Sequence, residues 1–297
     1  MKKAKFMLLT FVVAFLASCG TTSTVPVTGR KHNLLVSDEQ VLSLSSQEYS
    51  KYMAAAKKST DATNTALVQR VGHRLATAVE TYLTNNGMAA DVKNYQWEFN
   101  LVQDKSVNAF CMPGGKIVVY EGLLPVTRDE ASLAIVLGHE IAHAVAKHSA
   151  EQMSKAIRQS YVTQGIGVAG SLFGVNSSVT QIGQILAQQG FSFRNLSYSR
   201  DNETEADHIG LIFAAMAGYD PRVAVDFWKR MSAQSGAGNS NDTFSDHPSD
   251  AKRIANIERL MPEALKYYQP AASQPAKSTA TTTAKKRTTT SKSSSRR

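Results

Sequence analysis

Two cysteines in 297 residues, Cys19 and Cys111, allow one disulfide at most, so no disulfide framework holds this fold. Long apolar runs are missing too. The first, Phe6 to Ala17, is too short to span a bilayer, a task that takes about 20 residues. Residues 161–190 are rich in Gly, Ala, Ile and Val, but Gln164, Asn176, Ser177, Ser178, Gln181 and Gln184 interrupt them, which argues against a spanning helix there. Acidic residues are absent from 269–297, as are large apolar ones, so this Ser, Thr, Ala and Lys tail is expected to be disordered. Its seven cations, together with Lys2, Lys3 and Lys5, exceed the formal net charge of +9 and leave −1 for the rest. A nearly neutral body gives no electrostatic case for binding nucleic acid.

Lys2, Lys3 and Lys5 followed by a short apolar segment read as an export signal. Leu16-Ala17-Ser18-Cys19 resembles a bacterial lipobox, which would make Cys19 the lipidated N-terminus. Acyl chains would then tether the protein to a membrane surface. Residues 1–18 are thus assigned to the signal, 19–36 to a linker, 37–268 to a folded domain and 269–297 to the tail. The tail either touches an anionic lipid or envelope polymer or is simply solvated. Cys111, left without an intramolecular partner, reads as a small buried apolar residue.

Ser37-Asp38-Glu39-Gln40 is a capping-box pattern opening a helix to about Lys58. Leu67, Val71, Leu75, Val79 and Leu83 share one face of a second helix, where His73 reads as a surface or packing residue. Alternation through Tyr95, Trp97, Phe99 and Leu101 predicts a strand, and Gly114-Gly115 a turn between two more. Thr127 to Glu130 resembles another capping box, opening a helix to roughly Lys155. Residues 161–190 suit either a helical lid or a membrane-dipping element. Further helices are predicted over Arg200 to Met216, from Asp220-Pro221 to about Met231, and after His247-Pro248. Helices outweigh a small antiparallel meander, which makes the fold class α+β.

The chemistry concentrates in Gly138-His139-Glu140-Ile141-Ala142-His143. On a helix, residues four apart share a face, so His139 and His143 can point at one ion, and two imidazoles at that spacing suit Zn²⁺. Glu140 projects beside the metal, where it can take a proton from an attacking water. Ile135, Val136, Ile141 and Val145 make this helix apolar nearly all round. Burying His, Glu and His in it is costly unless something compensates them.

A catalytic zinc site has three protein ligands and an open position. A third histidine ten residues after His139, with Gly at the seventh, would make a metzincin, but Ser149 and Ala146 stand there. His148 lies around the helix and reads as supporting or structural. The gluzincin pattern instead takes a Glu from a later helix with an acid four residues on. Glu203 and Asp207 supply it: Glu203 as ligand, Asp207 as acceptor from a ligand histidine. Glu205 points elsewhere and reads as a solvated charge.

Taken with Val27-Thr28-Gly29-Arg30, Asn108-Ala109-Phe110, Pro113 to Tyr120, Ser199-Arg200, His247-Pro248 and Arg253-Ile254, these motifs resemble the HtpX-type and CAAX-prenyl-protease-type zinc metallopeptidases, most of all their periplasmic lipoprotein members. The resemblance covers about residues 25–260. It implies an edge strand at Gly115–Tyr120 that binds substrate through Gly115, Lys116, Ile117 and Val118, with Asn108 lining the cleft. It implies a His247 that rests on the fourth zinc position, and an Arg253 that holds substrate or the oxyanion; an exposed helix charge is the other reading of Arg253. The expected activity is zinc-dependent endopeptidase action on misfolded or unassembled envelope proteins, on the periplasmic side of a bacterial membrane. The alternative is a chaperone-like or scaffolding lipoprotein with a silenced metal site. A helical-repeat domain, which some relatives carry after the protease, is replaced here by the basic tail.

Overall fold

The computed structural model describes residues 21–164, 178–235 and 251–270. Cys19, the 165–177 segment, His247 and the basic tail lie outside them.

The chain enters through a hairpin where a linker was expected. Strands β1 (Thr21–Thr24) and β2 (Lys31–Leu34) pair antiparallel. Their connection is closed by Val25 N–H on Arg30 O at 2.8 Å and Gly29 N–H on Val25 O at 3.0 Å. Val27 and Gly29 both sit at φ 69°. Val25 and Leu34 are buried, so apolar side chains fasten the hairpin to the domain.

Helix α1 (Asp38–Ala55) starts at the Ser37–Gln40 capping box, and α2 (Ala62–Asn85) buries Val71, Leu75, Val79 and Leu83. After the short α3 (Ala89–Val92), strands β3 (Glu98–Val102), β4 (Ala109–Met112) and β5 (Lys116–Tyr120) form one sheet. The order is β3-β5-β4, with β5 parallel to β3 and antiparallel to β4. The sheet is therefore mixed rather than a meander. Lys116 to Val119 pair on both sides, so Gly115–Tyr120 is not the edge strand; β4 is. Gly114 at φ 90° and Gly115 at φ 79° make the β4–β5 turn, a conformation that costs glycine little.

Helix α5 (Glu130–Val145) follows the short α4 (Leu124–Thr127). Its cap is Asp129, whose carboxylate accepts from Ser132 N–H at 2.7 Å, and not the predicted box: the Thr127 hydroxyl donates back to Leu124 O. The helix also stops earlier than periodicity suggests. Lys147 takes φ 57°, and a new helix, α6 (His148–Gln164), leaves in another direction. A left-handed residue costs about 1 kcal/mol or more. Lys147 offsets part of this by donating to both oxygens of Asp38 at 2.8 Å.

Then come α7 (Val179–Gln188), α8 (Arg200–Met216), α9 (Val223–Ser235) and α10 (Ala251–Ala264). Pro221 precedes α9 by two residues instead of opening it. Helix α8 crosses α5 at Gly138 and Gly210, where a Cβ on Gly210 would lie 2.8 Å from the backbone of Gly138 and His139. Both helices can touch backbone to backbone only because neither has a side chain there. Leu133, Val136, Leu137 and Ile141 are buried around this crossing, each contributing about 2 kcal/mol by burial. Such a core carries the cost of the polar groups within it.

Candidate metal centre

Helix α5 presents His139 and His143 one turn apart, and α8 brings Glu203 from its first turn. His139 Nε2 and His143 Nε2 are 3.1 Å apart, and Glu203 Oε2 and Oε1 lie 3.4 Å from one and the other. A tetrahedral ion with bonds of about 2.0–2.1 Å spaces its ligand atoms about 3.3–3.4 Å apart. All three side chains are buried, and two imidazoles with a carboxylate form the donor set of a catalytic zinc site. Among the described residues, no other His/Cys/Asp/Glu group converges in this way. The residues present fit a metal.

The surroundings orient the ligands. With Nε2 turned to the metal point, His139 Nδ1–H donates to Asp207 Oδ1 at 2.9 Å, as the spacing predicts. Burial and the Arg253 charge push His139 down, but hydrogen bonds to Asp207 and Glu203 outweigh them and lift it to about 9. Burial drives His143 the other way, well below its ordinary value, so it stays neutral and ready to ligate. Burial also opposes ionisation of Asp207, yet Arg253 and His139 hold it below the usual carboxylate range.

Arg253 is no exposed charge. Its side chain on α10 is 5% exposed and lies over the Trp228 ring at 3.4 Å. Nε and Nη2 donate to Asp207 at 2.9 and 2.7 Å, and Nη1 stands 3.5 Å from Glu203. Its guanidinium fork is engaged from behind by the carboxylate that orients His139. It braces Asp207 behind His139.

Glu205 corrects the sequence reading further. It is 8% exposed and accepts from His148 Nε2–H at 2.9 Å. His148 Nδ1 in turn stands 2.8 Å from His143 Nδ1. The break at Lys147 makes this possible, because a continuous helix would carry His148 away from His143. Helical spacing in the sequence could not show that break.

Glu140 is buried beside the ligands, and β4 packs against the helix that carries it. Burial, then the nearness of Glu140, pushes the Cys111 thiol on β4 well up. Tyr198, one residue before the α8 cap, stacks on His143 at 4.0 Å and 19°. Trp228 meets His139 edge-on at 6.0 Å. Sequence reasoning missed both aromatics; only the position of Tyr198 next to the capping serine hinted at it. Asn108 is buried at the start of β4, and its carbonyl accepts from Tyr120 N–H at 3.0 Å. Gly115 backs onto Trp97, and Lys116 pairs with Glu98 at 2.7 Å. Ile117 and Val118 are interior core residues.

A buried His-Glu-x-x-His helix, a carboxylate from a second helix and an edge strand alongside define a metallohydrolase of the zincin kind. Residues 62–261 match the model of peptidase family M48, and the chain belongs to that family. It carries a metalloendopeptidase domain. Mitochondrial metalloendopeptidase OMA1 of Schizosaccharomyces pombe is 40% identical over 174 residues, covering 58% of this chain and 49% of the relative. The mitochondrial metalloendopeptidase OMA1 of Homo sapiens is 32% identical over 248 residues, covering 81% and 46%. The β-barrel assembly-enhancing protease of Yersinia pestis is 32% identical over 182 residues, covering 57% and 36%. The chain thus spans about half the length, or less, of these curated relatives.

Proposed function

We propose that this chain is a zinc-dependent endopeptidase that cleaves extended segments of envelope proteins. The observation that carries the reading is the convergence of one donor atom each from His139, His143 and Glu203 to within 4.8 Å of one another, next to the buried Glu140. Bound zinc would supply a Lewis acid and bring the pKa of water to about 7. The chain's own residues do the rest. A substrate strand would add along β4 (Ala109–Met112), an edge of the sheet that packs against the helix carrying His139, Glu140 and His143. Glu140 accepts the proton of the attacking water and delivers it to the departing amine nitrogen. Asp207 and Arg253 hold His139 in its ligating tautomer.

Export and a lipid on Cys19 are part of this proposal, resting on the basic start, the short apolar stretch and the lipobox-like sequence. No helix among the described residues is long and apolar enough to cross a membrane. His247 as an occupant of the fourth zinc position, and contact of the tail with anionic lipid or polymer, remain proposals of the sequence alone.

Zinc content and casein cleavage of the full chain test the reading. Wild type should hold one zinc and cleave, Glu203→Ala should lose both, and Glu140→Gln should keep zinc and lose cleavage. A Glu140→Gln protein that degrades casein as wild type does, with contaminants excluded, would sink the mechanism. Labelled palmitate on wild type and not on Cys19→Ala checks the anchor.

A further inference from the structure

Asp207 meets His139 Nδ1 directly, whereas His143 Nδ1 faces a second histidine that in turn meets a carboxylate. With a metal on His143 Nε2, His143 Nδ1–H donates to His148 Nδ1 at 2.8 Å, and His148 Nε2–H donates to Glu205 Oε2 at 2.9 Å. Glu205 is held from the N-terminal hairpin. It accepts from Thr28 Oγ1–H at 2.5 Å and from Arg30 Nε at 2.8 Å, with Arg30 Nη2 at 2.7 Å. The same Arg30 Nη2 lies 2.6 Å from Glu151 on α6, which also takes His32 Nδ1 at 2.8 Å and Asn202 Nδ2 at 3.2 Å.

The turn that presents Thr28 and Arg30 is itself specified. Gly29 needs no Cβ clearance, since nothing lies within 4 Å, but its φ of 69° favours glycine. Val25-to-Arg30 hydrogen bonding closes the turn, and the buried Val25 seats it on the core. Val27-Thr28-Gly29-Arg30 stands more than a hundred residues from the metal helix in sequence, and its side chains end on the carboxylate behind a metal ligand.

From this we infer that Thr28 and Arg30 are positioning residues for the metal: the N-terminal turn clasps Glu205, which fixes His148, which sets the tautomer and ring orientation of His143. This rests on the metal reading proposed above. Groups that orient a ligand from behind typically change metal affinity by about 10- to 100-fold when lost. Coupling between two sites is also reciprocal. If the clasp strengthens zinc binding, zinc binding must stabilise the clasp by the same factor.

The test measures zinc affinity of the full chain by competition with a chelating dye, and amide exchange with and without zinc. Glu205→Gln should weaken zinc about 10- to 100-fold and Arg30→Ala or Thr28→Val about tenfold, with Arg30→Lys recovering part of the loss. In wild type, zinc should slow exchange at the Val25 and Gly29 amides, and Glu205→Gln should abolish that effect. A merely structural turn would lower the melting temperature of the metal-free variants and leave the zinc affinity of the folded fraction unchanged. That outcome, or Val25 and Gly29 exchange in wild type indifferent to zinc, overturns the inference. Wild type that binds no zinc at all overturns the metal reading instead, and the clasp's role with it.

Discussion

Gly210→Ala tests whether the crossing of α5 and α8 sets the metal site. The new Cβ would stand 2.8 Å from Gly138 C and His139 N, against about 3.4 Å for the nearest ordinary contact. Backbone cannot swing aside as a side-chain end does, so the helices must separate by about 0.6 Å at the crossing. Glu203 lies two turns up the same face of α8 and would move with it. Its oxygens, now 3.4 Å from the two imidazoles, would pass beyond the spacing of a tetrahedral ion, whose bonds tolerate about 0.2 Å. Overpacking costs about 1–3 kcal/mol, while alanine gains about 1 kcal/mol over glycine within a helix. Stability should therefore fall by about 2 kcal/mol at most, while zinc affinity and cleavage fall at least about tenfold, since a displacement near 1 Å costs about 10²-fold in rate. Chelator competition, casein cleavage and thermal melts of the full chain would show the split. Gly183→Ala is the control, because its Cβ meets only the tip of Leu44, at 3.2 Å, and it should keep wild-type zinc affinity and activity. A Gly210→Ala protein with wild-type zinc affinity and turnover would refute the view that the close crossing positions Glu203.

Other expectations follow from the same geometry. Arg253→Ala leaves Asp207 buried without its bidentate partner and should cost about 3–5 kcal/mol, read as a fall in unfolding free energy in urea. Asp207→Asn should weaken zinc about 10- to 100-fold by chelator competition, whereas Asp201→Asn, on the exposed start of α8, should not. Chelation of the metal should lower the melting temperature in a zinc-dependent way, since zinc at 100 times its Kd adds about 2.7 kcal/mol. Hydrogen bonding from Arg70 holds Glu130 below the usual carboxylate range, against partial burial. A depressed pKa means stability present above the unfolded value near 4.5 and lost as pH falls through the folded value. Unfolding free energies of Glu130→Gln should thus depend less on pH below about 4.5 than those of wild type. Equal slopes would remove that link.

Much of the site was legible because its signals are local. Helical spacing puts His139 beside His143 and Glu203 above Asp207, whatever the rest of the chain does. The α8 bounds were legible as Arg200 to Met216, and the structure shows Ser199 capping the start and Gly218, at φ 82°, past the end. Strand order was not local. Alternation marks a strand without saying which neighbour it takes, and the family resemblance implies β5 at the edge where β4 stands. Glu205, and the exposed-charge alternative for Arg253, were misread for a related reason. A charged residue on a helix looks solvated until the helix opposite supplies its partner, here Asp207 for one and His148 with Arg30 for the other.

By itself the sequence determined the metallopeptidase class, the residues that converge at the candidate metal centre and the α+β character, because each depends on residue type at fixed spacing along one element. Only the tertiary structure decided how the ligands are held. The left-handed Lys147 turns His148 back onto His143, Gly138 and Gly210 let two helices touch, and a turn near the N-terminus closes on Glu205. The last two join residues dozens to more than a hundred positions apart, and the first depends on a backbone break that helical spacing does not show. Their energies come from packing and desolvation, which no periodicity along one segment can register.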